Sequence, residues 1–167
     1  MKRLTASTSS AWCPIDDTWL LFTWHAGNNS TIFLVPRANP RLCVSYNESN
    51  SITITLQECS EGPGHVWHLS SDGLVKSFTK RCLTAEGSPV VTGGNYITLR
   101  DCLDSENQQQ LWVFDYAHNH MKPLSAPWLC LTALQLNAGF SPYLWPCSNL
   151  MNVAQNSQNW LWMPKQE

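Results

Sequence analysis

Arg81-Cys82-Leu83-Thr84, Tyr96-Ile97-Thr98-Leu99, Cys102 and Gln110-Leu111-Trp112 form one unit of a pattern that occurs three times in this chain of 167 residues. The unit is a cysteine followed by an apolar residue, a strand-like stretch, a second cysteine and a closing tryptophan. The copy before it runs Leu42-Cys43-Val44, Ile52-Thr53-Ile54-Thr55-Leu56, Cys59 and His65-Val66-Trp67. The copy after it runs Leu129-Cys130-Leu131, Tyr143-Leu144-Trp145, Cys147 and Gln158-Asn159-Trp160. Successive closing tryptophans, 67 to 112 and 112 to 160, lie 45 and 48 residues apart. A period of this size means one supersecondary unit used repeatedly.

From Thr31 onward the chain reads as short strands split by turn signals. Ile32-Phe33-Leu34-Val35 is a strand stopped by Pro36, and Asn39-Pro40, Gly62-Pro63-Gly64, Asp72-Gly73, Gly93-Gly94 and Ser141-Pro142 mark turns. No stretch holds a helical period over a dozen residues. Frequent Gly and Pro turns between short strands indicate an all-β barrel or sandwich. The second repeat predicts four strands: Gly73 to Ser77, Cys82 to Thr84, Tyr96 to Leu99 and Leu111 to Phe114.

The bulk numbers exclude several classes. Only 13% of residues are charged and the net charge is −2, so nothing steers the chain toward nucleic acid or an anionic membrane. The longest apolar run, Trp19-Leu20-Leu21-Phe22-Thr23-Trp24, is too short to span a bilayer, so no direct membrane insertion is expected. Asp16 and Asp17 before it make it a poor signal peptide.

Seven cysteines in a small chain favour an oxidising compartment, and hence an extracellular protein or ectodomain. Spacing alone leaves the connectivity open, but a repeated unit should be wired the same way each time. That gives Cys43–Cys59, Cys82–Cys102 and Cys130–Cys147, each closing a loop worth roughly 3 kcal/mol in the chain-entropy model. Zinc fits poorly, because no C-x-x-C occurs. Cys13 is left over, either as a free thiol or as the source of an intermolecular bridge. Sequons at Asn28, Asn29 and Asn47 are candidate glycosylation sites and support the same compartment.

Three cysteine-paired units with a closing Gln-x-Trp resemble the ricin B-type β-trefoil lectin domain. Gln110-Leu111-Trp112 and Gln158-Asn159-Trp160 carry that signature, and His65-Val66-Trp67 departs from it with a histidine in the glutamine position. The resemblance covers residues 30 to 165 and is similar, among the family's branches, to the cysteine-rich domain of mannose-receptor-type proteins. It implies an all-β β-trefoil of three pseudo-symmetric four-strand repeats with within-repeat disulfides, and it places Trp67, Trp112 and Trp160 in the core. The organisation expected is an N-terminal extension over 1–29, partly disordered and rich in tryptophan, and one trefoil over 30–167.

The family's galactose-type site implies three parts in each repeat: an aspartate two residues after the first cysteine, an aromatic platform two before the second, and a polar residue beside the Gln-x-Trp. The aspartate position holds Ser45, Thr84 and Thr132, so the carboxylate is missing three times. The platform position holds Gln57, Arg100 and Trp145, and only the third repeat keeps a ring. The expected carbohydrate site is therefore Trp145 with Tyr143, Thr132, Asn156 and Gln158, for sulfated or galactose/GalNAc-type glycans. Arg100 offers a guanidinium for sulfate, or else pairs with Asp101 or Asp104.

No catalytic set stands out. No nucleophile elbow or phosphate-binding glycine loop occurs, and nothing places two carboxylates across a cleft. His118-Asn119-His120 offers two imidazoles without a third ligand, so no metal and no cofactor is expected. The expected partners are glycans or glycoproteins. The alternative is a trefoil that has lost its sugar sites and binds protein, through the N-terminal arm.

Overall fold

The computed structural model describes residues 30–47, 53–86, 95–103, 107–148 and 157–164. The arm over 1–29, with Cys13, Asn28 and Asn29, lies outside these residues, as do Asp104 and Asn156. Twelve strands are described: β1 (Ser30–Pro36), β2 (Leu42–Tyr46), β3 (Ile54–Glu58), β4 (Trp67–Leu69), β5 (Val75–Ser77), β6 (Arg81–Ala85), β7 (Asn95–Asp101), β8 (Trp112–Asp115), β9 (His120–Pro123), β10 (Leu129–Thr132), β11 (Tyr143–Pro146) and β12 (Trp160–Pro164). The only helical element among the described residues is a 3₁₀ turn at Pro63–His65, so no helix is long and apolar enough to cross a membrane. This is a β-trefoil of three four-strand repeats.

Six strands form a barrel. β1 pairs antiparallel with β12 and with β4, β4 with β5, and β8 with β9. The remaining seams close through single contacts. The Trp112 N–H donates to the Gly73 carbonyl (2.9 Å), and the Trp160 N–H donates to the Asn119 carbonyl (2.9 Å). Gly73 and Asn119 occupy equivalent places in successive repeats and share a left-handed backbone, φ 88° and 56°. Glycine and asparagine tolerate that region. A Cβ on Gly73 would also lie 3.2 Å from the Trp112 carbonyl oxygen, so a side chain there would crowd the close seam.

The other six strands make three hairpins that cap the barrel: β2–β3, β6–β7 and β10–β11. Each carries one disulfide, with S–S distances of 2.05, 2.02 and 2.03 Å for Cys43–Cys59, Cys82–Cys102 and Cys130–Cys147. The hairpins also grip one another. Thr53 bridges Thr98, Tyr96 stands opposite Tyr143, and Leu56 exchanges backbone bonds with Gly139 and Phe140 (both 2.7 Å). Three like contacts around one axis are what a threefold repeat produces.

One face of the strands fills the core, and β2 and β10 are buried on both faces. Leu42, Val44, Leu56, Leu83, Ile97, Leu99, Leu129, Leu131 and Leu144 are buried together with Trp67, Trp112 and Trp160. Each tryptophan donates its indole N–H to an equivalent carbonyl: Trp67 to Val44 (2.9 Å), Trp112 to Leu83 (2.8 Å) and Trp160 to Leu131 (2.8 Å). Burying such a ring removes about 150–250 Å² from water, on the order of 4–6 kcal/mol, and the paired indole N–H avoids the penalty of an orphan donor.

Candidate functional site

The three hairpins can be compared position by position, and the aspartate-equivalent residues come first. Thr132 is buried, where its hydroxyl donates to the Cys130 carbonyl (2.8 Å) and accepts from Gln158 Nε2 (3.1 Å). Gln158 is fully buried as well. Its Nε2 also donates to the Pro146 carbonyl (3.0 Å), and its Oε1 accepts the Ser148 N–H (2.8 Å). The second repeat repeats the arrangement with Thr84, Gln110, the Asp101 carbonyl and the Leu103 N–H. The signature glutamine is thus a clamp that ties the closing turn to both strands of its hairpin. Thr132 and Gln158, expected from sequence as ligand contacts, instead spend their polar atoms inside the fold.

The first repeat lacks the clamp. His65 replaces glutamine, and its Nδ1 is buried with no hydrogen-bond partner, while burial lowers its pKa below the ordinary imidazole value. Gly64 stands where the sibling repeats hold Gln109 and Ser157, and a Cβ there would lie 2.7 Å from the Tyr46 carbonyl oxygen, so no side chain fits. Beside it is an open depression of about 390 Å³ lined by Ser45, Tyr46, Asn47, Thr53, Thr55 and Gln57. This polar hollow was not singled out by sequence reading. It carries hydroxyl and amide groups but no exposed ring.

The second hairpin is closed by an ion pair. Arg100 Nε reaches Glu86 Oε1 at 2.6 Å, and the Thr98 hydroxyl donates to the same oxygen (2.7 Å). Those two donors, Thr98 foremost, hold the Glu86 carboxyl below its ordinary value. The partner of Arg100 is therefore Glu86 rather than the adjacent Asp101, which pairs with Arg81 (3.3 Å). Glu86 was missed because it lies 14 residues from Arg100 along the sequence.

The third hairpin keeps the aromatic platform. Trp145 is 44% exposed. Residues two apart on a strand share a face, so Tyr143 stands on the same side of β11, with its ring edge-on to Trp145 at a centroid distance of 6.0 Å. Burial raises the Tyr143 phenol above its ordinary pKa, so it is an uncharged O–H that can donate or accept. Opposite Tyr143 on β7 lies Tyr96, which is 72% exposed.

Among the described residues, one grouping of metal-binding side chains occurs, His120 with Cys130 and Cys147, whose ligand atoms lie within 4.8 Å of one another. The two sulfurs are bonded to each other, which removes their thiolates as ligands. His118, at the other end of the tight turn, is stacked on His120 and bonded to Asp115.

The geometry above can be set beside known proteins. The sequence model of the ricin-type beta-trefoil lectin domain matches residues 79–167. No curated protein matches the sequence. Among solved structures, an agglutinin from Abrus precatorius is similar with a TM-score of 0.66 at 20% identity, over 85% of this chain and 51% of that one. The C-half of the earthworm R-type lectin, solved with GalNAc, gives 0.60 at 12% identity over 81% and 99%. The β-trefoil lectin of the Vibrio vulnificus hemolysin/cytolysin, solved with N-acetyl-D-lactosamine, gives 0.62 at 18% identity over 84% and 98%. At these identities the likeness shows the fold. The chain spans about half the length of the agglutinin chain and nearly all of the other two. With the family's sequence model matched over more than half of its length and a trefoil built on three clamped hairpins, this chain belongs to the ricin-type β-trefoil lectin domain family, a family of carbohydrate-binding modules.

Proposed function

We propose that residues 30–167 form an extracellular lectin domain that binds a glycan on the outer face of the third hairpin. The observation that carries this reading is the half-exposed Trp145, the one ring at the platform position of the three hairpins, with Tyr143 edge-on beside it. A sugar offers a C–H face to such a ring and hydroxyls to fixed polar groups. The Tyr143 phenol supplies one polar partner. GalNAc and lactosamine, bound by the earthworm and Vibrio lectins, are the first ligands to try, with sulfated hexosamines beside them.

The missing aspartate weakens any single contact. A charge-assisted hydrogen bond contributes about 1.5–3 kcal/mol, so the site depends on stacking more than an aspartate-bearing site would. A second reading rests on the first-repeat depression, whose hydroxyls and amides suit a sugar edge. Asn47, a sequon asparagine, is among the residues that line it.

A glycan array with the oxidised protein beside Trp145→Ala tests the proposal. Specific binding lost in the variant supports the third hairpin. Binding unchanged in the variant moves the site to the first-repeat depression. An empty array from folded protein overturns the lectin reading and favours a protein-binding trefoil.

A further inference from the structure

The three repeats meet at equivalent places, and one of these places is unlike the others. Thr53 and Tyr96 occupy the same position in successive repeats, as do Thr98 and Tyr143. At the first boundary Thr53 faces Thr98. At the second, Tyr96 faces Tyr143 in antiparallel register, so the two side chains share a face with Cβ atoms roughly 4.5–5.5 Å apart. Trp145 is two residues further along β11 on that same face, a diagonal neighbour of Tyr96 at roughly 7–8 Å, a distance aromatic side chains bridge. Three aromatic side chains from two repeats therefore share one face as a strip, with Tyr143 and Trp145 in ring contact and Tyr96 standing apart from both.

Tyr96 has no packing reason to be aromatic. It is 72% exposed on the outer face of β7, while its neighbours Ile97 and Leu99 fill the core from the other side. The strip is uncharged. The charges beside it, Arg100 on β7 and Glu86 just past β6, are bonded to each other at 2.6 Å. What the strip presents is aromatic area with phenol hydroxyls at its rim, which complements the alternating C–H faces and hydroxyls of a neutral sugar chain. It is longer than one pyranose ring can cover.

Resting on the lectin reading above, we infer that the third-repeat site continues across the repeat boundary onto Tyr96, and that its ligand is an uncharged oligosaccharide of at least two rings. Trp145 and Tyr143 hold the first ring and Tyr96 the next. Tyr96 is the length-determining residue.

Isothermal titration of the full oxidised chain with N-acetylgalactosamine, N-acetyllactosamine and the linear dimer of N-acetyllactosamine reads this directly. The wild type should bind the tetrasaccharide about tenfold more tightly than the monosaccharide, one stacking contact's worth. Tyr96→Ala should keep the monosaccharide affinity and lose that gain, and Tyr96→Phe should retain most of it. Trp145→Ala should lose both. Equal affinity for all three sugars in the wild type, or an unchanged gain in Tyr96→Ala, overturns the extension while leaving the lectin reading intact. Absence of binding by any sugar overturns both.

Discussion

Replacing His120 with leucine should stabilise this protein, and should do so increasingly as the pH falls. His120 is fully buried on β9, and neither ring nitrogen has a hydrogen-bond partner. The equivalent position of the second repeat holds the buried Leu74, so the fold accepts an aliphatic side chain there. Burying an unpartnered polar group costs about 1–3 kcal/mol on mutational scales, and leucine removes that cost. For a chain of this size the gain corresponds to about 2–10 °C in Tm. A second contribution depends on pH. Burial, and after it Lys122 and His118, push the His120 pKa below its ordinary value, with Asp115 opposing weakly. Below pH 6.5 the unfolded chain takes up a proton that the native chain refuses. Wild-type stability then falls with pH, at up to about 1.4 kcal/mol per unit from this group, until the native imidazole also titrates. His65 behaves alike in both proteins and cancels. Urea unfolding of oxidised wild type and His120→Leu at pH 7.5, 6.5 and 5.5 gives the comparison. A variant less stable than wild type at pH 7.5, or a difference that stays constant down to pH 5.5, would refute the reasoning.

Three further substitutions test the fold. Gln158→Ala removes the clamp that joins Thr132, Pro146 and Ser148, and should cost about 2–4 kcal/mol by denaturant midpoint, with Gln110→Ala costing a similar amount. Asp115 accepts from Lys122 Nζ (2.8 Å) and His118 Nδ1 (3.0 Å), and these bonds, Lys122 foremost, hold its carboxyl well below the usual range. That stabilisation is present above pH 3.8 and is lost as the pH falls below it. Asp115→Asn should therefore lower stability at neutral pH and flatten the acid limb of the stability profile, which unfolding curves between pH 2 and 6 would show.

The repeat and its core were legible because they are made of rare residues at fixed intervals. Three tryptophans and six cysteines mark equivalent points, and the barrel and its disulfides follow from them. That Trp145 is the one ring at its position in the three hairpins was legible for the same reason. What escaped were properties set by neighbours distant in sequence. Whether Thr132 and Gln158 face a ligand or each other depends on which side of the hairpin the closing turn folds onto, and both arrangements share one motif. Tyr96 gains its meaning only opposite Tyr143, 47 residues away, because the hairpins clasp. His120 looked like part of a polar loop, yet the barrel seam at Asn119 turns it inward.

The pairing of β1 with β12 has a consequence for how the molecule is made. The longest ladder of the barrel joins Ile32 to Pro164 and Pro36 to Trp160, the first and last of the described strands. During synthesis the hairpins and their disulfides can form one repeat at a time, since each is local. The barrel wall cannot shut until β12 has left the ribosome. A topology so rich in contacts distant along the chain folds slowly. The nascent chain would therefore wait with the β12-facing edge of β1, Ile32 to Pro36, open, the interval in which a chaperone or a neighbouring chain has most to bind.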